Sequence, residues 1–235
     1  METNPEIHHS KSIKFWPAAE RPRERLLREG SAHLTDSELL AILIRNGLQG
    51  KDAISLGREL LTRFGGLRGL IAASSQELQT IKGLGPAKVA ALLAALEIAR
   101  RQLREEIHGK NIVKDPQSVY DYLISSLRDK KKEIFKVLFL NKANRILGES
   151  DMFEGTVDQT MVHPREILRS AIERNATSVI LVHNHPSGRT QPSHEDLEMT
   201  RKIRAACETA GVIVLDHIIV ADNEYFSFNE HQLLE

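Results

Sequence analysis

The 235-residue chain reads as two domains of different class, an all-α domain followed by an α/β (α+β) domain built on a central mixed sheet. Three observations predict this. From Arg23 to Arg104 the apolar residues recur at helical spacing between helix-start signals. Around Glu105 to Asp115 (EEIHGKNIVKD) that pattern lapses, with Gly109 and Pro116 in or beside the gap. Beyond it, short runs rich in β-branched residues alternate with amphipathic stretches, the signature of strands and helices sharing one sheet. The length suffices for one large domain or two small ones.

Taken in order, residues 1–20 lack periodicity and are expected to form a flexible arm, with Phe15-Trp16-Pro17 anchoring onto the body. Residues 21–105 form the helical domain. Within it Thr35-Asp36-Ser37-Glu38 is a capping box, in which the Thr hydroxyl accepts from a free amide and the Glu reaches back. Leu39, Leu40, Ile42 and Leu43 supply the next apolar stripe, stopped by Asn46-Gly47. Ser74-Ser75-Gln76-Glu77 repeats the start signal, and Pro86 opens the longest helix, AKVAALLAALEIARR. Residues 106–115 are the expected linker and 116–235 the mixed domain. There the pattern predicts a helix from Ser118 to Asp129 and an apolar strand from Ile134 to Leu140. Extended segments over 146–153 and 155–162 come next, then a helix from Pro164 to about Asn175. Ser178 to Val182 is short and β-branched, hence a strand buried on both faces. A helix from about His194 to Ala210 and a strand from Val212 to Val220 complete the domain.

The composition, 41% apolar and 27% charged, is ordinary for a soluble protein. No apolar run approaches the roughly 20 residues of a membrane span, and the amino-terminal residues do not resemble a secretory signal. The single cysteine, Cys207, excludes an internal disulfide framework and fits a reducing, cytoplasmic setting with no membrane association. It lies in a helical pattern and reads as a small buried residue, so any metal must be held by His and carboxylate. Net charge is zero, but residues 1–110 carry +4 and the remainder −4, a mild hint of an anionic partner for the first half.

Ile81-Lys82-Gly83-Leu84-Gly85-Pro86 is the first constellation. Two glycines around an apolar residue allow left-handed backbone angles and expose amides at a helix start, where an anionic oxygen is favoured. Lys82 and Lys88 stand close by. The stretch resembles the helix-hairpin-helix motif, which implies phosphate contact with DNA through Lys82, Gly83, Gly85 and Lys88. A hairpin used purely for packing is the other reading.

The second constellation is VHNHPSGRTQPSHEDLEM, residues 182–199. On a strand, His183 and His185 point to the same face, and Pro186 ends the strand at an accessible edge. Asp196 then falls in the first turn of the next helix, where it can swing back as a third ligand. Two His and one carboxylate leave a fourth tetrahedral position open, the arrangement of a catalytic zinc, here one Zn2+ per chain. The competing readings are a plain capping arrangement for Ser193 and Asp196 and interior histidines bonded to backbone. Zinc chemistry still needs a base. Glu133, at the start of the apolar strand, is one choice; Glu154 and Glu149 are its rivals. His217, beside Asp216, either packs beneath the site or bonds to backbone.

His183-Asn184-His185-Pro186, then Ser193 and Asp196, resembles the JAMM signature of the JAB/MPN metallopeptidases. Phe15-Trp16-Pro17, Glu20-Arg21-Pro22-Arg23-Glu24, Leu39 to Leu43, His163-Pro164-Arg165-Glu166, His183 to Gly188 and Asp216-His217 narrow the resemblance to the bacterial RadC family, over nearly the whole chain. That resemblance implies an MPN/JAB-type, cytidine-deaminase-like fold after a helix-hairpin-helix domain. It implies a zinc-dependent peptidase acting on a peptide or isopeptide carbonyl of an unknown protein or peptide substrate. It assigns Glu133 as acid/base and Ser193 as partner of the oxyanion. Asn184 departs from the Ser or Thr of the deubiquitinating branch, which leaves zinc binding untouched and argues against ubiquitin-like substrates. A DNA-binding accessory protein in repair, with a non-catalytic metal domain, is the alternative. The scissile bond and the oligomeric state are not written in the sequence.

Overall fold

The computed structural model describes residues 13–155 and 162–234. The chain divides into two compact units between Ile98 and Ala99.

The first unit is helical among its described residues: α1 (Pro22–Glu29), α2 (Asp36–Ile44), α3 (Ala53–Phe64), α4 (Leu67–Ala72), α5 (Ser75–Gln79) and the start of α6 (Pro86–Ile107). Both expected capping boxes form, at Thr35 with Glu38 and at Ser74 with Glu77. Leu40, Ile44, Leu56, Leu60, Leu78 and Leu92 meet in one apolar cluster. The first twelve residues of the expected arm lie outside the described residues. The rest is ordered into short 3-10 turns, with Trp16 packed on Ala41, Ala53 and Ile54.

The hairpin before α6 differs from the sequence expectation. Gly83 alone of the two glycines takes a left-handed angle, φ 95°. A Cβ there would sit 2.7 Å from Leu48 Cδ2, whereas one on Gly85 would meet nothing within 4 Å. Lys88 Nζ donates to the carbonyls of Asn46, Gly47 and Gly83 at 2.6, 3.2 and 2.8 Å. An ammonium has three protons, so Lys88 ties the 46–47 turn to the hairpin instead of standing free for a phosphate. Lys82 is exposed.

The second unit holds the sheet. The stretch expected as a linker belongs to it: α6 runs on to Ile107, and residues 109–112 bond along the β1–β2 turn, Gly109 N to Ile146 O at 2.9 Å and Ile112 N to Asn144 O at 3.1 Å. After α7 (Pro116–Leu127) come β1 (Glu133–Leu140), β2 (Ile146–Gly155), α8 (Pro164–Glu173), β3 (Ser178–Asn184), α9 (His194–Thr209), β4 (Ile213–Ala221) and β5 (Glu224–Ser227). The extended segment expected over 155–162 falls mostly outside the described residues. The strand order is β2-β1-β3-β4-β5, with β3–β4 parallel and the other pairs antiparallel. This is the mixed sheet the sequence predicts, flanked by helices.

Side-chain alternation splits the unit into two cores. Val179 and Leu181 of β3 and Phe135, Val137 and Phe139 of β1 face α8 and α9. Ile180 and Val182, with Ile134, Leu138 and Leu140, face α7. Every residue of β3 is buried, as a central strand covered on both sides requires. The single parallel pair decides how the chain must turn at the end of β3. Parallel neighbours need a long crossover, and α9 is that crossover, so the chain leaves the end of β3 and re-enters along α9 beside it.

Replacing Gly83 with Val places a β-branched residue at positive φ against Leu48 and should cost about 2 kcal/mol or more in urea denaturation. Gly85→Ala should change stability by less than about 0.5 kcal/mol.

Candidate metal centre

The end of β3 and the first turn of α9 meet as that crossover dictates. His183 is the penultimate residue of β3 and faces α9; His185 comes just after the strand, its amide bonded to Val220 O at 2.9 Å. Ser193 caps α9, and Asp196 sits in its first turn. Nε2 of His183 and Nε2 of His185 lie 2.9 Å apart, Asp196 Oδ1 is 3.1 Å from the first and Asp196 Oδ2 3.4 Å from the second. Their ligand atoms all fall within 4.8 Å of one another.

This donor set fits a divalent ion. Each ring is engaged at Nδ1, His185 with Arg189 O at 2.6 Å and His183 with His217 Nε2 at 2.8 Å, so both Nε2 atoms turn inward. Two imidazole nitrogens and a carboxylate converging at one point form a donor set that could hold a metal ion between them. Ligands of a tetrahedral zinc with bonds of about 2.0–2.1 Å sit about 3.3 Å apart, close to the spacing seen here. The electrostatics agree. Burial alone would raise the Asp196 carboxyl, but the imidazoles of His183 and His185 and the Ser193 hydroxyl hold it well below the usual carboxylate range. His185 loses basicity to burial yet ends above its ordinary value through Asp196, the Arg189 carbonyl and Glu133.

Asp196 does two jobs with one carboxylate. Oδ2 accepts from Ser193 N at 2.8 Å and from Ser193 Oγ at 2.7 Å, while Ser193 Oγ accepts from Asp196 N at 3.1 Å. The capping box and the ligand set, competing readings of these residues, coexist: the cap holds Oδ2 and so aims Oδ1 at His183. The hydroxyl proton of Ser193 is thereby committed to Asp196, which makes Ser193 an orienting group in this arrangement rather than a free donor for an oxyanion.

Glu133 opens β1 on the same face as Phe135, which pairs with His183. It is buried, and that burial raises its carboxyl; His183 and His185 pull it down and Asp196 pushes it up again. Its rivals lie elsewhere. Glu154 pairs with Ile134, hence on the α7 face, and is exposed beside Lys132 at 3.3 Å. Glu149, also on the α7 face, takes Tyr122 Oη at 2.7 Å and Lys136 Nζ at 3.0 Å.

Sequence reasoning missed what holds Glu133 in place. Asn184, between the two histidines, points to the opposite face of the sheet and is 1% exposed. Its Oδ1 accepts from Ile134 N at 2.8 Å and its Nδ2 donates to Lys130 O and Lys132 O at 3.3 and 3.2 Å. One carboxamide therefore grips the backbone on both sides of Glu133. Period-two alternation through His183 and His185 was the available signal, since it sends Asn184 to the other face. His217 and Thr200 also meet the site from beneath: His217 Nδ1 is 2.6 Å from Thr200 Oγ1, which donates to Asp196 O at 2.6 Å. His163 and His194 are exposed and join no ligand set, and Cys207 is buried, its thiol pushed up to about 11 by burial.

Asn184→Ala strands one buried amide and two carbonyls and should cost about 2–3 kcal/mol in chemical denaturation. Asn184→Asp, which keeps the acceptor but not the donors, should not restore the loss.

Comparison with known proteins agrees with this geometry. Residues 113–233 match the family described as RadC-like JAB domain, and residues 13–90 match UPF0758 N-terminal. A UPF0758 protein of Shewanella loihica is 46% identical over 93% of this chain and 97% of its own length. Another, of Nitrosospira multiformis, is 47% identical over 95% of this chain and all of its own. The chain therefore belongs to the UPF0758 family, whose carboxy-terminal half is a RadC-like JAB domain.

Proposed function

We propose that the protein is a zinc-dependent hydrolase of the JAMM type, acting on a peptide or isopeptide carbonyl. The observation that carries this reading is the convergence of His183 Nε2, His185 Nε2 and Asp196 Oδ1 at the end of β3, on the face that also carries the buried Glu133. Two histidines and one carboxylate leave a coordination position open, which separates catalytic from structural zinc sites. A zinc ion held there supplies Lewis acidity toward a water molecule and a scissile carbonyl.

The chain's own groups do the rest. Glu133, raised by burial, accepts the proton of the attacking water and passes it to the departing amine, the task for which a carboxyl above its usual range is suited. Asn184 holds the peptide units flanking Glu133, so the carboxylate is positioned by backbone rather than by a mobile loop. Ser193 keeps Asp196 in its ligand orientation through the cap. Glu133 is a base only when ionised, so activity should fall on the acid side of its titration, which burial pushes upward and a dication beside it would push downward.

Purified protein should hold close to one zinc per chain by elemental analysis, and His183→Ala should abolish it. Glu133→Gln should retain the zinc while turnover of a peptide or isopeptide substrate falls about 10²–10⁴-fold. A wild-type chain that binds no zinc when zinc is supplied overturns the reading.

A further inference from the structure

Beneath the ligand set lies a closed ring of hydrogen bonds that links two of its members by a second route. His183 Nδ1 meets His217 Nε2 at 2.8 Å, His217 Nδ1 meets Thr200 Oγ1 at 2.6 Å, and Thr200 Oγ1 donates to Asp196 O at 2.6 Å. The path starts on one ligand and ends on the backbone of another. All three side chains are buried, His183 and His217 at 0% exposure and Thr200 at 2%.

The Thr200 end of this ring fixes the direction of its bonds. A backbone carbonyl only accepts, so the single Thr200 proton lies on its bond to Asp196. Thr200 Oγ1 can then only accept from the ring, which puts a proton on His217 Nδ1. The His217 ring is wedged between Phe228, stacked at 4.6 Å, and Phe135, edge-on at 5.7 Å, with no carboxylate on it. A metal held at His183 Nε2 requires that ring's proton on Nδ1, which faces His217 Nε2 at 2.8 Å, so His217 is oriented to accept there while donating from Nδ1 to Thr200 Oγ1. His183 then donates from Nδ1, with its Nε2 lone pair facing the site.

We infer that Thr200 and His217 are positioning residues that set the tautomer and ring orientation of His183 for metal binding, with a histidine in the place where a carboxylate or a backbone carbonyl would be the usual partner. The inference rests on the proposed zinc site and concerns residues to which the hydrolase proposal gives no role. It also accounts for a threonine in mid-helix. Its bond to the carbonyl four residues back is common for threonine, but here that bond orients the oxygen lone pair toward His217.

The test uses the full chain and zinc alone. Competition against a chromophoric chelator should show Thr200→Val, which keeps shape and removes the hydroxyl, weakening zinc binding about 10–100-fold. Thr200→Ser should bind within about twofold of wild type, the difference that separates a hydroxyl effect from a packing effect. His217→Phe should weaken binding like Thr200→Val. A second measurement needs no variant: ring-nitrogen NMR of the zinc-loaded wild-type chain should report the Nδ1–H tautomer for His217. Zinc affinity unchanged in Thr200→Val, or an Nε2–H tautomer on His217 in the zinc-loaded chain, overturns the inference and leaves the zinc proposal intact. Failure of the wild-type chain to bind zinc overturns the zinc proposal itself, and this inference with it.

Discussion

One parallel strand pair governs the chemistry of this chain. Because β3 and β4 run in the same direction, the backbone must cross over between them, and α9 is that crossover. The start of α9 consequently lies at the carboxyl end of β3, the place where open α/β sheets collect their functional groups. His183 and His185 arrive there by strand alternation, and Asp196 by being in the helix's first turn. An antiparallel pair joined by a tight turn would have brought the histidines but no helix start, and so no third ligand.

The same economy appears in how single groups serve two ends. Asp196 caps a helix with one oxygen and faces the histidines with the other. Asn184 faces away from the candidate metal centre and still bears on it, by gripping the backbone around Glu133. Thr200 and His217 approach from the sheet's α9 side. The site is thus braced from both faces of β3 at once. A strand buried on both sides is what makes this possible, since each of its residues has a packed layer to reach into.

How much could be read from the sequence depends on how local the information was. The residues 183–196 declare themselves because period two on a strand, a proline stop and a helix start are all written within one short stretch. The capping boxes at Thr35 and Ser74 are legible for the same reason. Glu133 is fifty residues upstream of the histidines and becomes a neighbour only through antiparallel pairing of β1 with β3, a register that no local pattern encodes. The fates of Glu149 and Glu154 depend on the same register. Thr200 and His217 required knowing which face of α9 and of β4 meet. At the hairpin the sequence leaves open whether Lys88 serves as an internal tie, and the carbonyls of Asn46 and Gly47 that it reaches are far off in the chain. Strand β5, four residues long, is too short to show a period.

The lone cysteine carries a last consequence. Cys207 is sealed in the apolar layer under α9, with its thiol held protonated well beyond neutral pH. The ligand set contains no sulfur, and the chain has no second thiol with which Cys207 could pair. A centre held by His183, His185 and Asp196 alone would offer no thiolate for an oxidant to attack.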